Sequence, residues 1–120
     1  MVDALDDCIL VYQRTPGVTL ARHVSVDTNN DVYVGSVQTK RFVKLDGTDG
    51  KIIDSEGFGG TCGGYGGLIS VVNGEPILWS ADLGSGLLRR NLAQDSSQCL
   101  AISASYGLGI DPAGNIWNSR

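Results

Sequence analysis

The stretch of sequence that decides the fold occurs three times, each time as two apolar segments separated by a polar turn. The copies are HVSVDTNNDVYVGS (residues 23–36), GLISVVNGEPILWS (residues 67–80) and GLGIDPAGNIWNS (residues 107–119). The second segment of each copy contains an aromatic residue, and these residues, Tyr33, Trp79 and Trp117, are 46 and 38 residues apart. Short segments of β-branched and aromatic residues joined by Asn, Asp, Gly and Pro predict β-hairpins.

A second kind of hairpin alternates with the first. Its copies run from residues 42–45 into 51–53, from 87–92 into 98–102, and from 8–14 into 18–20. Two hairpins in about forty residues are the repeat expected of the four-stranded blades of a β-propeller. No segment keeps apolar residues at helical spacing without interruption by Gly, Pro or Asn, so an all-β fold is predicted.

The repeat also predicts how the chain is divided. We expect an outer hairpin over residues 1–22, blades over 23–64 and 65–105, and an inner hairpin over 106–120 that completes a blade with a hairpin like 1–22. The chain then carries three blades, fewer than the four to eight of a closed propeller. The expected solution is a homodimer, a six-bladed ring in which two chains exchange their terminal hairpins. The alternative is that the sequence is part of a longer six-bladed chain.

Composition excludes several functions. The chain has 120 residues, 42% of them hydrophobic and 18% charged, which is typical of a globular domain. Its nine basic residues are scattered and its formal net charge is −4, so we expect no nucleic-acid partner. No apolar stretch is long enough for a membrane span, and the acidic first residues do not resemble a secretory leader, so the default expectation is a soluble cytoplasmic protein.

The three cysteines allow two interpretations. Cys8, Cys62 and Cys99 show no C-x-x-C spacing, which argues against a zinc site. Buried free thiols are the favoured interpretation. A disulfide between Cys62 and Cys99 is the alternative, and it requires Cα atoms within about 7 Å of each other.

The hairpin pattern resembles two known families. The order apolar–x–apolar–Asp, turn, Asn or Asp, apolar, Trp or Tyr, with Tyr-Gly-Leu before it at residues 106–108, is similar to NHL-repeat propellers and to streptogramin lyase-like propellers. The resemblance covers nearly the whole chain, but its motifs are structural and imply a fold more than a function. If the chain were an enzyme of the streptogramin lyase kind, the resemblance would imply a site in the channel with a histidine, acidic groups and magnesium. The single histidine, His23, lies at the head of an inner strand and does not match that motif.

Candidate binding residues lie where inner strands begin. In a ring, Arg22, His23, Tyr65 and Tyr106 would lie near one mouth of the channel, where aromatic rings beside charged groups suit a sugar, a peptide or another small polar ligand. A packing role for the tyrosines and a hydrogen-bonded rim position for His23 are the alternatives. The sequence therefore predicts a propeller-type binding scaffold. The alternative function is a small-molecule lyase or lactonase, in which Asp82 converges with His23 and a divalent ion.

No metal site is predicted. Asp27, Asn29 and Asp31 have the alternate spacing of calcium-loop ligands, but Val32 and Gln38 stand where such a loop needs Gly and Glu. An Asx-rich hairpin turn is the simpler explanation. Magnesium or calcium is therefore expected only with the enzyme alternative.

Overall fold

The structure is a computed structural model that describes residues 13–59, 61–84, 86–103 and 105–119. All regular elements of these residues are β-strands, which confirms the all-β prediction. In chain order the strands are β1 (Ala21–Val26), β2 (Val32–Ser36), β3 (Arg41–Leu45), β4 (Ile52–Gly59), β5 (Gly67–Val72), β6 (Glu75–Ala81), β7 (Gly86–Asn91), β8 (Ser96–Ala101), β9 (Leu108–Ile110) and β10 (Ile116–Asn118).

The strands form two four-stranded sheets and one hairpin. The first sheet has the order β1-β2-β3-β4 and the second β5-β6-β7-β8, and all neighbours are antiparallel. Strands β9 and β10 form a separate two-stranded hairpin. Each sheet is therefore a meander of the kind found in a propeller blade, and the hairpin is half of one.

Local sequence explains the tight turns inside these units. The Asp27 carboxylate accepts hydrogen bonds from the backbone N–H groups of Asn29 and Asp31 at 2.9 and 3.0 Å, which closes the β1–β2 turn. Between β5 and β6, Asn73 and Gly74 adopt φ of 52° and 83°. Positive φ at two central residues is the turn that Asn-Gly favours, and its twist matches that of the strands it joins.

The innermost strands lie side by side. β1 contacts β5, and β5 contacts β9, so the three units form a row in chain order. Between the first two units the backbones approach closely, since a Cβ at Gly64 would lie 2.1 Å from the carbonyl oxygen of Ser36. Gly64, within the glycine-rich run that the sequence shows here, thus allows close backbone packing at this crossing.

A small apolar core joins the two sheets. Phe42 and Tyr33 of the first sheet pack in one cluster with Leu78 and Leu88 of the second, and Cys62 belongs to the same cluster. Phe42 and Leu78 are completely buried. The core therefore lies between blades as well as within them.

The structure corrects the favoured interpretation of the cysteines. Cys62 and Cys99 form a disulfide with their Cα atoms 6.1 Å apart, so the expectation of free thiols is wrong for this pair. The bond joins the segment before β5 to β8 of the same sheet. Cys8 lies outside the described residues.

The structure describes only residues 13–22 of the predicted N-terminal outer hairpin. Residues 1–12 lie outside the described residues, and residues 13–20 contain no strand. β1 begins at Ala21, so Ala21 and Arg22 belong to the inner strand of the first sheet rather than to an outer hairpin. Closure of a six-bladed ring by two chains stays a prediction.

Within the described ranges, no helix has the length and hydrophobicity that crossing a membrane requires.

Candidate functional site

Two tyrosines occupy equivalent positions in neighbouring units. The N–H of Tyr65 donates to the carbonyl of Ala81 at 2.9 Å, just before β5 begins. The N–H of Tyr106 donates to the carbonyl of Ser119 at 3.0 Å, just before β9 begins. The backbone of each hairpin therefore fixes one tyrosine at the entry to its inner strand.

The side chains of these tyrosines meet. Their ring centroids are 4.9 Å apart and the ring planes are inclined by 54°. A hydrogen bond with Tyr106 raises the pKa of Tyr65 above its ordinary value. Tyr106 remains 52% exposed. The pair therefore presents aromatic surface and hydroxyl groups to solvent.

Arg22 lies at an irregularity of strand β1. The β1–β2 register shifts between Ala21 and His23, which makes Arg22 the extra residue of a β-bulge. A bulge re-aims the side chain that it carries. The positive charge of Arg22 acts to lower the pKa of Tyr65, which places it within electrostatic range of the tyrosine hydroxyl. We call Arg22, Tyr65 and Tyr106 the tyrosine patch.

His23 is found in a different environment from the expected rim of a channel. Its side chain is completely buried between the first and second sheets. The ring Nδ1 lies 3.0 Å from Ser80 Oγ, and Nε2 lies 2.8 Å from Ser25 Oγ. The ring meets Phe42 edge to face, with centroids 5.1 Å apart. The backbone beyond it is Gly67, where a Cβ would lie 2.5 Å from His23 Cε1.

The burial of His23 decides its protonation. Removal from solvent lowers its pKa from 6.5 to about 4, so the imidazole is neutral at neutral pH. A neutral imidazole donates one hydrogen bond and accepts one, which matches the two serine hydroxyls. His23 therefore joins two blades, and its buried ring cannot contact a ligand in this structure.

Asp82 is also engaged in the contact between blades. Its carboxylate forms an ion pair with Lys40 Nζ and accepts a hydrogen bond from the N–H of Gly63 at 2.9 Å. Lys40 lies between β2 and β3 of the first sheet, whereas Asp82 follows β6 of the second. The ring of His23 bonds two serines, whereas Asp82 bonds Lys40 and Gly63. The structure thus brings Tyr65 and Tyr106 into contact, leaves Arg22 within electrostatic range of Tyr65, and gives His23 and Asp82 other partners.

The carboxylates of the acidic turn considered for calcium pair with a lysine of the same sheet. Lys44 Nζ lies 3.4 Å from Asp27 Oδ2 and 2.8 Å from Asp31 Oδ2. Over the part of the chain that the structure describes, no group of three or more His, Cys, Asp or Glu side chains is placed to hold a metal ion. The expectation that no cofactor is bound remains a prediction.

Sequence reasoning missed the serines that hold His23. Ser25 follows two positions later on the same strand, and Ser80 is 57 residues away. Alternation along β1 was the available signal, because residues 23 and 25 share one face of a strand. Ser80 gave no such signal.

Comparison with known proteins supports the fold. No protein family and no curated protein matches the sequence. Among solved structures, the chain is similar to a crystal structure of selenomethionine-substituted virginiamycin B lyase from Staphylococcus aureus, with a TM-score of 0.60 and 17% sequence identity. The match covers 88% of this chain and 36% of the lyase, so this chain spans about a third of the length of that protein. The likeness shows that these sheets are arranged as part of a β-propeller.

Proposed function

We propose that this chain is a propeller-type binding scaffold that holds a small polar ligand or peptide at the tyrosine patch. The single observation that carries the proposal is the contact between two equivalent tyrosines from different units, and Arg22, at an irregularity of β1, lies within electrostatic range of Tyr65. Neighbouring blades contribute one tyrosine each, so the patch exists only because the fold brings their inner strands together.

The chemistry of the patch favours a ligand that combines a ring with a carboxylate. Tyrosine faces offer apolar contact and their hydroxyls offer hydrogen bonds. The guanidinium of Arg22 is permanently charged and can bind a carboxylate through two parallel hydrogen bonds. Uronic acids and acidic peptides with an aromatic side chain have both features.

Titration followed by NMR tests this proposal. The probes are glucuronate and the acidic dipeptide acetyl-Glu-Tyr, with glucose and the uncharged diamide of the dipeptide as neutral counterparts. We expect the carboxylate probes to shift the amide signals of Gly66 and Gly107, which follow the two tyrosines. Arg22→Gln should weaken the carboxylate probes about tenfold, the worth of a charge-assisted hydrogen bond, and Tyr106→Leu should weaken all the probes.

Lys51→Gln is the matched control. Lys51 is a cation in an outer turn and its side chain is 82% exposed, so this variant should bind the probes as the wild type does. The proposal fails if millimolar carboxylate probes leave both glycine signals unchanged, or if Arg22→Gln and Lys51→Gln behave alike.

The lyase or lactonase alternative has weaker support. It needs an accessible acid–base group, whereas the imidazole of His23 is buried and bonded to two serines. It also needs Asp82, which pairs with Lys40. The similar structure is a lyase by name, but a likeness at 17% identity concerns the fold alone.

A further inference from the structure

The segment between β4 and β5 holds Tyr65 of the tyrosine patch between two pairs of glycines. Gly63 and Gly64 precede the tyrosine, and Gly66 and Gly67 follow it. Gly63 and Gly64 adopt φ of 95° and 90°, a region that other residues rarely enter. Glycine loses more conformational freedom on folding than any other residue. A segment of this composition therefore needs further interactions to keep one conformation.

Hydrogen bonds tie this segment to the end of β6 and to the contact between the sheets. The N–H of Gly63 donates to Asp82 Oδ1 at 2.9 Å, and the N–H of Gly64 donates to Ser80 Oγ at 2.8 Å. Ser80 Oγ also lies 3.0 Å from Nδ1 of His23 in the first sheet. The backbone that positions the tyrosine is therefore the same backbone that joins the first and second sheets.

Cys62 is the covalent anchor of the segment. It lies three positions before Tyr65, is 2% exposed and packs in one cluster with Phe42 and Leu88. Its disulfide partner is Cys99 on β8, at the edge of the second sheet opposite to β5. Three residues span at most roughly 11 Å, so the disulfide limits how far the tyrosine backbone can move from the second sheet.

The two ends of the disulfide differ in their access to solvent. A Cβ at Gly86 of β7 would lie 2.8 Å from Cys62 Cβ and 3.1 Å from Cys99 Sγ, so the missing side chain of this glycine leaves the room that the bond occupies. Cys62 is buried on the inner side of this contact, whereas Cys99 is an exposed residue of an edge strand. A reductant in solution can therefore approach the bond at Cys99.

Tyr106, the other tyrosine of the pair, is held by interactions that do not involve the disulfide. Ser105 directly precedes it and is 2% exposed, and the N–H of Gly107 directly after it donates to Ser119 Oγ at 2.9 Å. Tyr106 follows β8, but β8 pairs with β7 over its whole length, so Cys99 keeps its place in the ladder when the bond is broken. Loss of the disulfide therefore frees one tyrosine of the pair and leaves the other in position.

We propose that the disulfide between Cys62 and Cys99 is a redox switch for the tyrosine patch. In the oxidised chain the bond holds Tyr65 against Tyr106 and the patch binds its ligand. In the reduced chain the glycine-rich segment is released, Tyr65 leaves the patch and the affinity falls. This inference rests on the proposed function, since it concerns the regulation of the same site.

A dithiol is the class of reductant that the switch requires. One of its thiolates attacks the exposed Cys99 Sγ, the bond to Cys62 breaks, and Cys62 leaves as a thiolate that takes up a proton. The second thiol of the reductant then attacks the mixed disulfide, which releases Cys99 as a thiol. Two electrons pass to the protein, and the reductant ends as a disulfide.

Hydrogen exchange of backbone amides tests the structural step without a ligand. The full chain carries Cys8→Ser, so that only the two disulfide cysteines respond to dithiothreitol. Reduction should speed the exchange of the Gly64 and Tyr65 amides about tenfold, the worth of one hydrogen bond, and should leave the Tyr106 amide unchanged. Unchanged protection at Gly64 and Tyr65 would overturn the switch, and so would an equal acceleration at Tyr106, which would indicate general unfolding.

NMR titration with acetyl-Glu-Tyr tests the effect on binding, with the amide of Gly107 as the reporter beside Tyr106. Reduction should raise the dissociation constant about fivefold, the effect of losing one aromatic contact. Tyr65→Leu should bind as weakly in the oxidised chain, and reduction should weaken it no further, because the residue that the switch moves is already absent.

The Cys62→Ala/Cys99→Ala variant is the matched control for the reductant. It should bind the dipeptide as the reduced chain does, with or without dithiothreitol, and circular dichroism should show the same strand content as in the oxidised chain. If this variant does not fold, the reduced chain and Tyr65→Leu still decide the question.

The outcomes separate the switch from the proposed function. Equal affinity of the oxidised and reduced chains would refute the switch and leave the proposed function intact. The same conclusion would follow if reduction weakened Tyr65→Leu as much as the parent chain. An oxidised chain that does not bind the dipeptide would refute the proposed function, and the regulation of binding with it.

Discussion

At the scale of single residues, His23 couples the stability of the protein to pH. The folded chain holds its pKa at about 4, against 6.5 for an ordinary histidine, because burial disfavours the charged ring. Below pH 6.5 the unfolded chain therefore takes up a proton that the folded chain does not, and stability falls until the pH reaches about 4. The loss amounts to roughly 3 kcal/mol across that window.

Urea unfolding at several pH values checks this expectation. The free energy of unfolding of the wild type should fall between pH 6.5 and 4 more steeply than that of His23→Gln, which has no titrating ring. The variant is expected to start from a lower stability, since it loses a buried, hydrogen-bonded ring, so the comparison concerns the slopes. Parallel curves for the two proteins would show that His23 does not titrate as its burial requires.

His23 also shows where sequence analysis stops. Alternation of His23, Val24, Ser25 and Val26 predicts a strand, and the structure has one. The usual rule would turn the valines inward, yet the polar pair is buried because Ser80 of the neighbouring blade bonds the imidazole. That contact joins residues 57 positions apart, and no local pattern encodes it. The positions of Tyr65 and Tyr106 at the start of inner strands were predictable, because the repeat places the two residues equivalently.

At the scale of elements, the disulfide fixes the second sheet. Cys62 lies in the segment before β5 and Cys99 lies in β8, so the bond closes a loop across 37 positions. Cross-linking a loop of that length restricts the unfolded chain and contributes about 3 to 4 kcal/mol. Dithiothreitol should lower the urea midpoint of the wild type correspondingly. The Cys62→Ala/Cys99→Ala variant is the control and should not respond; a wild type equally indifferent to reductant would contradict the assignment.

The same bond bears on the compartment. Stable disulfides are typical of proteins that fold in an oxidising environment and are uncommon in the cytosol. The default expectation of a cytoplasmic protein rested on charge and hydrophobicity alone, and neither property indicates whether two cysteines form a disulfide. Three cysteines with unremarkable spacing could not reveal the pairing, because it depends on the approach of the segment around Cys62 to β8.

At the scale of the whole molecule, the described residues form a row of three units. The period of the hairpins predicted the units, since each repeat encodes its own strands and turns. How the units pack depends on residues that no repeat shares, such as Gly64 against Ser36 and Asp82 against Lys40.

The contact of Asp82 with Lys40 and Gly63 should determine whether the two sheets unfold together. Asp82→Asn removes the ion pair but keeps an acceptor for the Gly63 N–H, so a cost of about 1 kcal/mol or less is expected. Asp82→Ala removes both interactions of a half-buried group, with an expected cost of about 2 kcal/mol. The readouts are urea unfolding and hydrogen exchange, in which the Gly63 amide should lose protection in the alanine variant alone.

Asp95→Ala provides the comparison within one blade. Asp95 pairs with Arg90 of the same sheet, and its own side chain is 88% exposed, so its removal should cost little. If Asp82→Ala is no more costly than Asp95→Ala, the ion pair does not hold the blades together. If Asp82→Ala is the more costly substitution and the two sheets then exchange their amide hydrogens independently, the ion pair is what makes the sheets unfold together. This outcome is expected because few polar contacts of the described residues reach from one sheet to the other.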